Sequence, residues 1–455
     1  MFYKIFSKIN NNKLLLFIFF INFLFFNLNS TLNINKFTNI PSNSSEFPKL
    51  LGSPVEMHMW KKGYEFKNDI SISNLQNYEF RHHFLPSKNL GIVGAIFNIE
   101  FYNNNNEISF KGIYKFFLFQ TLIYYISVLY FYKKLIKLDI QRSVTNITIF
   151  FLLFEPTINQ FRYTIFGETV FFSIIIFIFS SLIDLPKKNI SYIFLGFLIG
   201  VCYLQRSVAM FLIIVPIFII ITSKEKNVLI KVSNLIISFS LILICLGYLN
   251  YKRIGLFYFL PTQTVDNLYN YFLPAVENKR LNSQSINKTK IELKTKKMNY
   301  AKENGLDLNS EIDRIKFYKW QKNKAIETIL ENKFIAAQLA IKSSLHSMLL
   351  NPTEILFNRL YGSGYYKSDL HQKTLIFRIL YSITIYLVIF LGIYHCYKKK
   401  INTPHLLMLC GMYFFIISSW VGYTRYFVPT FICLNLYFSF GIIYLYNKIV
   451  NFKIK

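Results

Sequence analysis

Apolar runs recur along most of this chain, at about 14–28, 113–132, 143–158, 169–183, 190–205, 208–222, 230–249, 374–396, 404–420 and 426–447. Such runs read as membrane helices, since a helix satisfies its own backbone where no water is present. A chain of 455 residues would otherwise suggest two or three soluble domains. With 53% hydrophobic and 18% aromatic residues, it reads instead as an all-α polytopic membrane protein of about ten transmembrane helices.

The formal charge of +28 raises the question of a nucleic-acid partner. The placement of the lysines answers it, because they crowd into short tracts between apolar runs: YKKLIK, LPKKN, SKEKN, YKKKIN and the tail NKIVNFKIK. Alternating ten spans from an inside N-terminus puts every tract on one face, as the positive-inside rule requires. The expectation is therefore a membrane-embedded protein with both termini cytoplasmic and no nucleic-acid partner. Lys4, Lys8 and Lys13 precede the first apolar run, which lacks a convincing small-residue cleavage site after it and reads as an uncleaved first span.

The same alternation leaves two long segments outside, 29–111 and 250–373. The expected organisation is an N-terminal transmembrane module (1–249) containing the large first outer loop, an extramembrane helical region (250–373), and C-terminal transmembrane helices (374–455). Apolar residues at helical spacing, for example Ile326, Ile329, Leu330 and Phe334, predict helix between Ser310 and Leu350, ended by Asn351-Pro352. Cys202, Cys245, Cys396, Cys410 and Cys433 are scattered without CxxC pairing, so neither a disulfide framework nor a zinc site is indicated.

Ten of the 51 basic residues are arginines, and three of these stand at expected outer span ends, against the positive-inside trend: Arg162, Arg206 and Arg425. A planar guanidinium keeps its charge in a dry setting and binds phosphate bidentately, so the cluster suits a lipid phosphate. Snorkelling to the headgroups is the competing explanation for each. Glu168, at the start of the fourth span, either pairs with an arginine or shapes a sugar-phosphate pocket.

The first outer loop offers carboxylates able to take a proton from an acceptor hydroxyl, with Glu46, Glu56 and Asp69 the leading candidates for a catalytic base among Glu65, Glu79, Glu100 and Glu107. Arg81, His82 and His83 in RHHFLPSK are candidates for binding phosphate. No cofactor is assigned; two adjacent histidines leave a divalent cation open as a ligand.

Four further features share a pattern. Pro156 is followed by FGETVFF; GFLIGVCYLQRSVAM carries Gly196, Gly200, Leu204 and Arg206; WQKNKAIETILENKFIAAQLAIKS follows in the large second loop; and YTRYFVPTF surrounds Arg425. With the early outer loop, these resemble motifs of the polytopic GT-C glycosyltransferases, in particular bacterial relatives of dolichyl-phosphate-mannose protein mannosyltransferases and of the lipid A aminoarabinose transferase. The resemblance spans nearly the whole chain, each motif being loose. It implies a GT-C-like fold and an inverting transfer of sugar from a polyprenyl-phosphate donor to a lipid, glycan or protein acceptor. A bacterial inner membrane is the implied location.

That family carries a catalytic aspartate in its first outer loop; by position Glu46 matches it best, with Glu56 and Asp69 as rivals. Ser207 stands where its proline follows the arginine. An O-antigen ligase or polymerase is the nearest alternative, pointing to His346 and Arg359 in the second loop. A lipid-linked substrate transporter, which would show related halves or broken helices in matching positions, and a non-catalytic scaffold complete the alternatives.

Overall fold

The computed structural model describes residues 11–38, 110–163, 167–183, 189–222, 226–260, 265, 268–282, 285–308, 310–349, 369–421 and 427–453. All regular structure among them is helical. In chain order the helices are α1 (Asn11–Thr38), α2 (Phe110–Lys137), α3 (Arg142–Phe154), α4 (Pro156–Asn159), α5 (Glu168–Ile183), α6 (Asn189–Gln205), α7 (Ile214–Thr222), α8 (Val228–Ile254), α9 (Leu273–Arg280), α10 (Ile286–Glu303), α11 (Glu311–Glu331), α12 (Lys333–Leu349), α13 (Asp369–Lys399), α14 (Thr403–Val421) and α15 (Val428–Lys453). Short 3₁₀ segments follow α4 (Gln160–Tyr163) and α6 (Ser207–Ile213), and a π-helical turn (Leu268–Phe272) precedes α9.

Four of these contain stretches long and apolar enough to cross a membrane: Lys111–Lys137, Val228–Lys252, His371–Lys399 and Val428–Val450. The six other apolar stretches, such as Lys13–Leu28 in α1 and Thr403–Ser419 in α14, are 10–17 residues long, shorter than the roughly 20 that an upright span needs. The outward faces agree with a lipid surround. Leu229, Ile237, Leu241 and Ile244 on α8, and Ile376, Phe377, Leu387 and Phe390 on α13, are exposed in rows that water would penalise and acyl chains would not. The chain is thus built as a membrane protein.

Between helices in lipid there is little hydrophobic driving force, so close contact depends on small residues. Two pairs of parallel helices illustrate this. Along α6 and α8, a Cβ on Gly196 would fall on the Leu235 carbonyl, and one on Gly200 would lie 2.7 Å from Ile242 Cγ1. The spacing that resembles a glycosyltransferase motif therefore serves as a GxxxG contact. Along α13 and α15, a Cβ on Gly392 would overlap the Tyr437 carbonyl and one on Gly441 the Val388 carbonyl.

Neighbours in sequence run antiparallel. Asn27 on α1 meets Tyr114 on α2 (2.6 Å) and His405 on α14 meets Tyr437 on α15, while α3, remote from α15 in the chain, meets it through Thr148 and Ser439 (2.7 Å). This alternation gathers the lysine-bearing ends of α2 and α13 at one end of the bundle. The ends of α3 and α6 and the starts of α5, α13 and α15 lie at the other.

Two expected spans are not continuous. The run at 143–158 breaks at Glu155-Pro156: α3 stops at Phe154, the Glu155 carboxylate caps the Ile158 N–H at 2.8 Å, and Pro156 occupies the first turn of α4. The run at 208–222 begins as 3₁₀ helix after Arg206 and becomes α-helical only at Ile214.

The helix expected between Ser310 and Leu350 is two helices broken at Asn332. Of its four marker residues only Ile329 is buried; Ile326, Leu330 and Phe334 are exposed. The inward stripe runs instead through Phe317, Gln321, Ala325 and Thr328. This polar helical segment has its own small cores, with Tyr300 stacked on Trp320 at 4.1 Å and Tyr269, Leu273, Leu293 and Ala325 packed together. Burial pushes the Tyr269 hydroxyl up to about 12.

Candidate functional site

Two charged clusters form at the bundle end opposite the lysines. The first is built around Arg162, only 1% exposed. The break at Glu155 lets the chain turn back on itself, so that the 3₁₀ segment tucks this side chain between α1 and α2. Its Nη1 donates to Asn22 Oδ1 at 2.7 Å and to Asn159 Oδ1 at 2.9 Å, its Nη2 to the Tyr125 hydroxyl at 3.0 Å, and its Nε weakly to Thr121 Oγ1 at 3.4 Å. Tyr125 in turn donates to Asn22 Oδ1 at 2.6 Å. The rings of Tyr125, Phe26 and Tyr124 lie 5.0, 5.5 and 5.8 Å from the guanidinium carbon. Arg162 is thus solvated by neutral amides, hydroxyls and ring faces rather than by headgroups.

The second cluster pairs Glu168 with Arg206 at 2.6 Å, the side chains being 4% and 11% exposed. Glu168 opens α5 after Gly167, whose φ of +72° suits glycine. Arg206 ends α6 in extended backbone before the 3₁₀ turn. Gln205 Nε2 donates to the Gly167 carbonyl at 3.1 Å and ties the two chain reversals together. Of the two roles open to Glu168, the arginine pair is formed. Burying a pair of opposite charges costs desolvation that the contact must offset, and the pair is partly open at the Arg206 side.

Glu155 connects the bundle's interior to α13. One carboxylate oxygen caps α4, and the other accepts from the Tyr381 hydroxyl at 2.9 Å. Asn159, which holds Arg162, also donates to the Glu155 carbonyl at 2.9 Å. Sequence reading passed over Glu155, although an acid before proline inside an apolar run is both an N-cap signal and an ionisable group in a membrane segment. It also passed over Asn22, whose role depends on a partner 140 positions away in the chain.

Of the residues expected at the site, Arg162, Glu168 and Arg206 are placed as above. Glu46, Glu56, Asp69, Arg81, His82, His83 and Arg425 lie outside the described residues. Among the described residues no group of three or more His, Cys, Asp or Glu is arranged to hold a metal ion.

Comparison with known protein families, with curated proteins and with solved structures finds no match to this chain.

Proposed function

We propose that the protein is an inverting glycosyltransferase of GT-C type that moves a sugar from a polyprenyl-phosphate donor to a lipid, glycan or protein acceptor at the outer face of a bacterial inner membrane. In this reading ten helices cross the bilayer, the short apolar ones doing so with local thinning or tilt of neighbours. Both termini are cytoplasmic. Arg206 and Arg425 hold the donor phosphate and stabilise the negative charge that develops as it leaves. A carboxylate of the first outer loop, Glu46, Glu56 or Asp69, removes the acceptor's proton. The polar helices α10 to α12 cover the site.

The observation that carries the reading is the Glu168–Arg206 pair at 2.6 Å, a charged group kept partly accessible at the bundle end opposite the lysines. An ionised pair at an apolar boundary is costly unless it has a task. Arg162 fits a different part of the reading: with its contacts made to Asn22, Asn159 and Tyr125, it holds the break between α3 and α5 in shape rather than meeting the phosphate.

The test is transfer of radiolabelled sugar from a panel of polyprenyl-phosphate sugars in membranes containing the full chain. Transfer that is abolished by one of Glu46→Gln, Glu56→Gln or Asp69→Asn, and reduced by Arg425→Ala and Arg206→Gln at equal protein levels, supports the reading. Transfer indifferent to all three carboxylate changes removes the first-loop base. A lipid-linked substrate transporter is the second reading, favoured by the helix break at Glu155-Pro156; movement of a labelled polyprenyl-phosphate sugar between leaflets without transfer would select it.

A further inference from the structure

Arg378 lies within the apolar run of α13, one helical turn before Tyr381 and Ser382. It is 4% exposed, its Nε has no hydrogen-bond partner, and it makes no ion pair among the described residues. Ser382, on the same face at the i+4 position, is 1% exposed, and its hydroxyl also has no partner among the described residues. Between them Tyr381 is committed to Glu155, whose second oxygen is taken by the Ile158 N–H. That acid therefore does not neutralise Arg378.

A guanidinium cannot escape burial by losing its proton, and leaving it unpaired inside a helix bundle is strongly unfavourable. Arg162, at the same end of the bundle, shows how the chain provides for such a group when the protein itself is the partner: acceptors and ring faces on several helices. Among the described residues Arg378 has no such shell. What remains is a cation in a fork geometry beside an unused hydroxyl, a set of donors matched to the oxygens of a phosphate group.

We propose that Arg378 and Ser382 form a phosphate-binding site inside the bundle, beside the Glu155–Tyr381 contact. The site goes beyond the transferase reading, which places the donor phosphate on Arg206 and Arg425, and needs only a phosphate-bearing ligand. That phosphate comes either from a lipid headgroup entering between helices or from free phosphate.

The test uses the full chain in nanodiscs of phosphatidylcholine, with polyprenyl phosphate added to the bilayer in one arm and inorganic phosphate to the buffer in the other. Retention of the lipid in native mass spectrometry and the rise in melting temperature on ligand addition are read for wild type, Arg378→Gln, Arg378→Lys and Ser382→Ala. Expected is binding by wild type, weakened at least about tenfold in Arg378→Gln as for loss of a charge-assisted contact, and less in Ser382→Ala. Arg378→Lys keeps the charge but not the fork, is expected to bind at an intermediate level, and serves where the glutamine variant does not fold. Response to polyprenyl phosphate alone assigns a lipid ligand; response to inorganic phosphate with competition assigns free phosphate. Wild type binding neither probe, or the Arg378 variants binding as wild type does, overturns the site. Sugar transfer lost in Arg206→Gln while phosphate binding persists would separate this inference from the transferase reading.

Discussion

The Arg162 end of the bundle and the helices α9 to α11 both carry many charges, and they treat them in opposite ways. At the bundle end Arg162 is buried among several partners, of which Asn22 and Tyr125 come from distant parts of the chain and Asn159 from the same turn, and Glu168 is buried against Arg206. On α9 and α11 the ion pairs are Arg280–Glu277, Lys316–Asp313 and Lys324–Glu327, each three residues apart on one helix and open to solvent. The first kind of charge fixes tertiary structure, because a buried charge or its abandoned partner is expensive. The second adds a few tenths of a kcal/mol to a helix and little to the fold. Charge density alone thus says little about where chemistry sits, and burial says much more.

Several changes would sharpen or break that contrast. The largest effect is expected where the bundle's framework is tightest. Gly392→Leu drives a side chain into the Tyr437 carbonyl and should cost about 3 kcal/mol or more, read as loss of the folded fraction in detergent melts. Arg162→Leu strands Asn22, Asn159 and Tyr125 and should cost about 2–4 kcal/mol, with Arg162→Lys recovering little because lysine lacks the fork. If thermal unfolding of Arg162→Leu matches wild type, the buried network is not structural and the contrast fails.

For Glu168→Gln and Arg206→Gln, a double-mutant cycle on unfolding should give a coupling of about 1–3 kcal/mol. The same cycle on Lys324→Ala and Glu327→Ala should give less than about 0.5 kcal/mol and vanish in high salt. Smallest of all is the pH response of Asp313, where the hydrogen bond from Lys316 holds the carboxyl below its ordinary value. A depressed carboxylate contributes stability above its unfolded pKa and loses it as pH falls through the folded one. NMR titration of Asp313 should therefore show a low midpoint that rises in Lys316→Ala, with little change in melting temperature.

How far the sequence could be read is clearest at particular residues. Hydropathy located the apolar helices found among the described residues, because lipid demands long apolar stretches whatever their neighbours are. It did not reveal that the run at 143–158 stops at Glu155, since a capping carboxylate and a proline look like a loop edge when the average is apolar. The arginines at expected outer span ends were legible as anomalies. Their partners were not: Glu168 and Arg206 meet from 38 positions apart, and Arg162 meets Asn22 from 140. Arg378, inside an apolar run, was an equal anomaly that sequence reading passed over, and only burial separates it from an arginine that snorkels.

The sequence by itself determined the class of environment, the positions of the apolar helices and the side on which lysine collects, because each depends on local composition and on transfer between water and lipid. Only the tertiary structure decided that Gly196 and Gly200 serve a helix contact, that Arg162 is solvated from within, and that Arg378 Nε finds no hydrogen-bond partner among the described residues. Those outcomes depend on which faces meet, and that is settled by the packing of segments far apart in the chain, which no local pattern records.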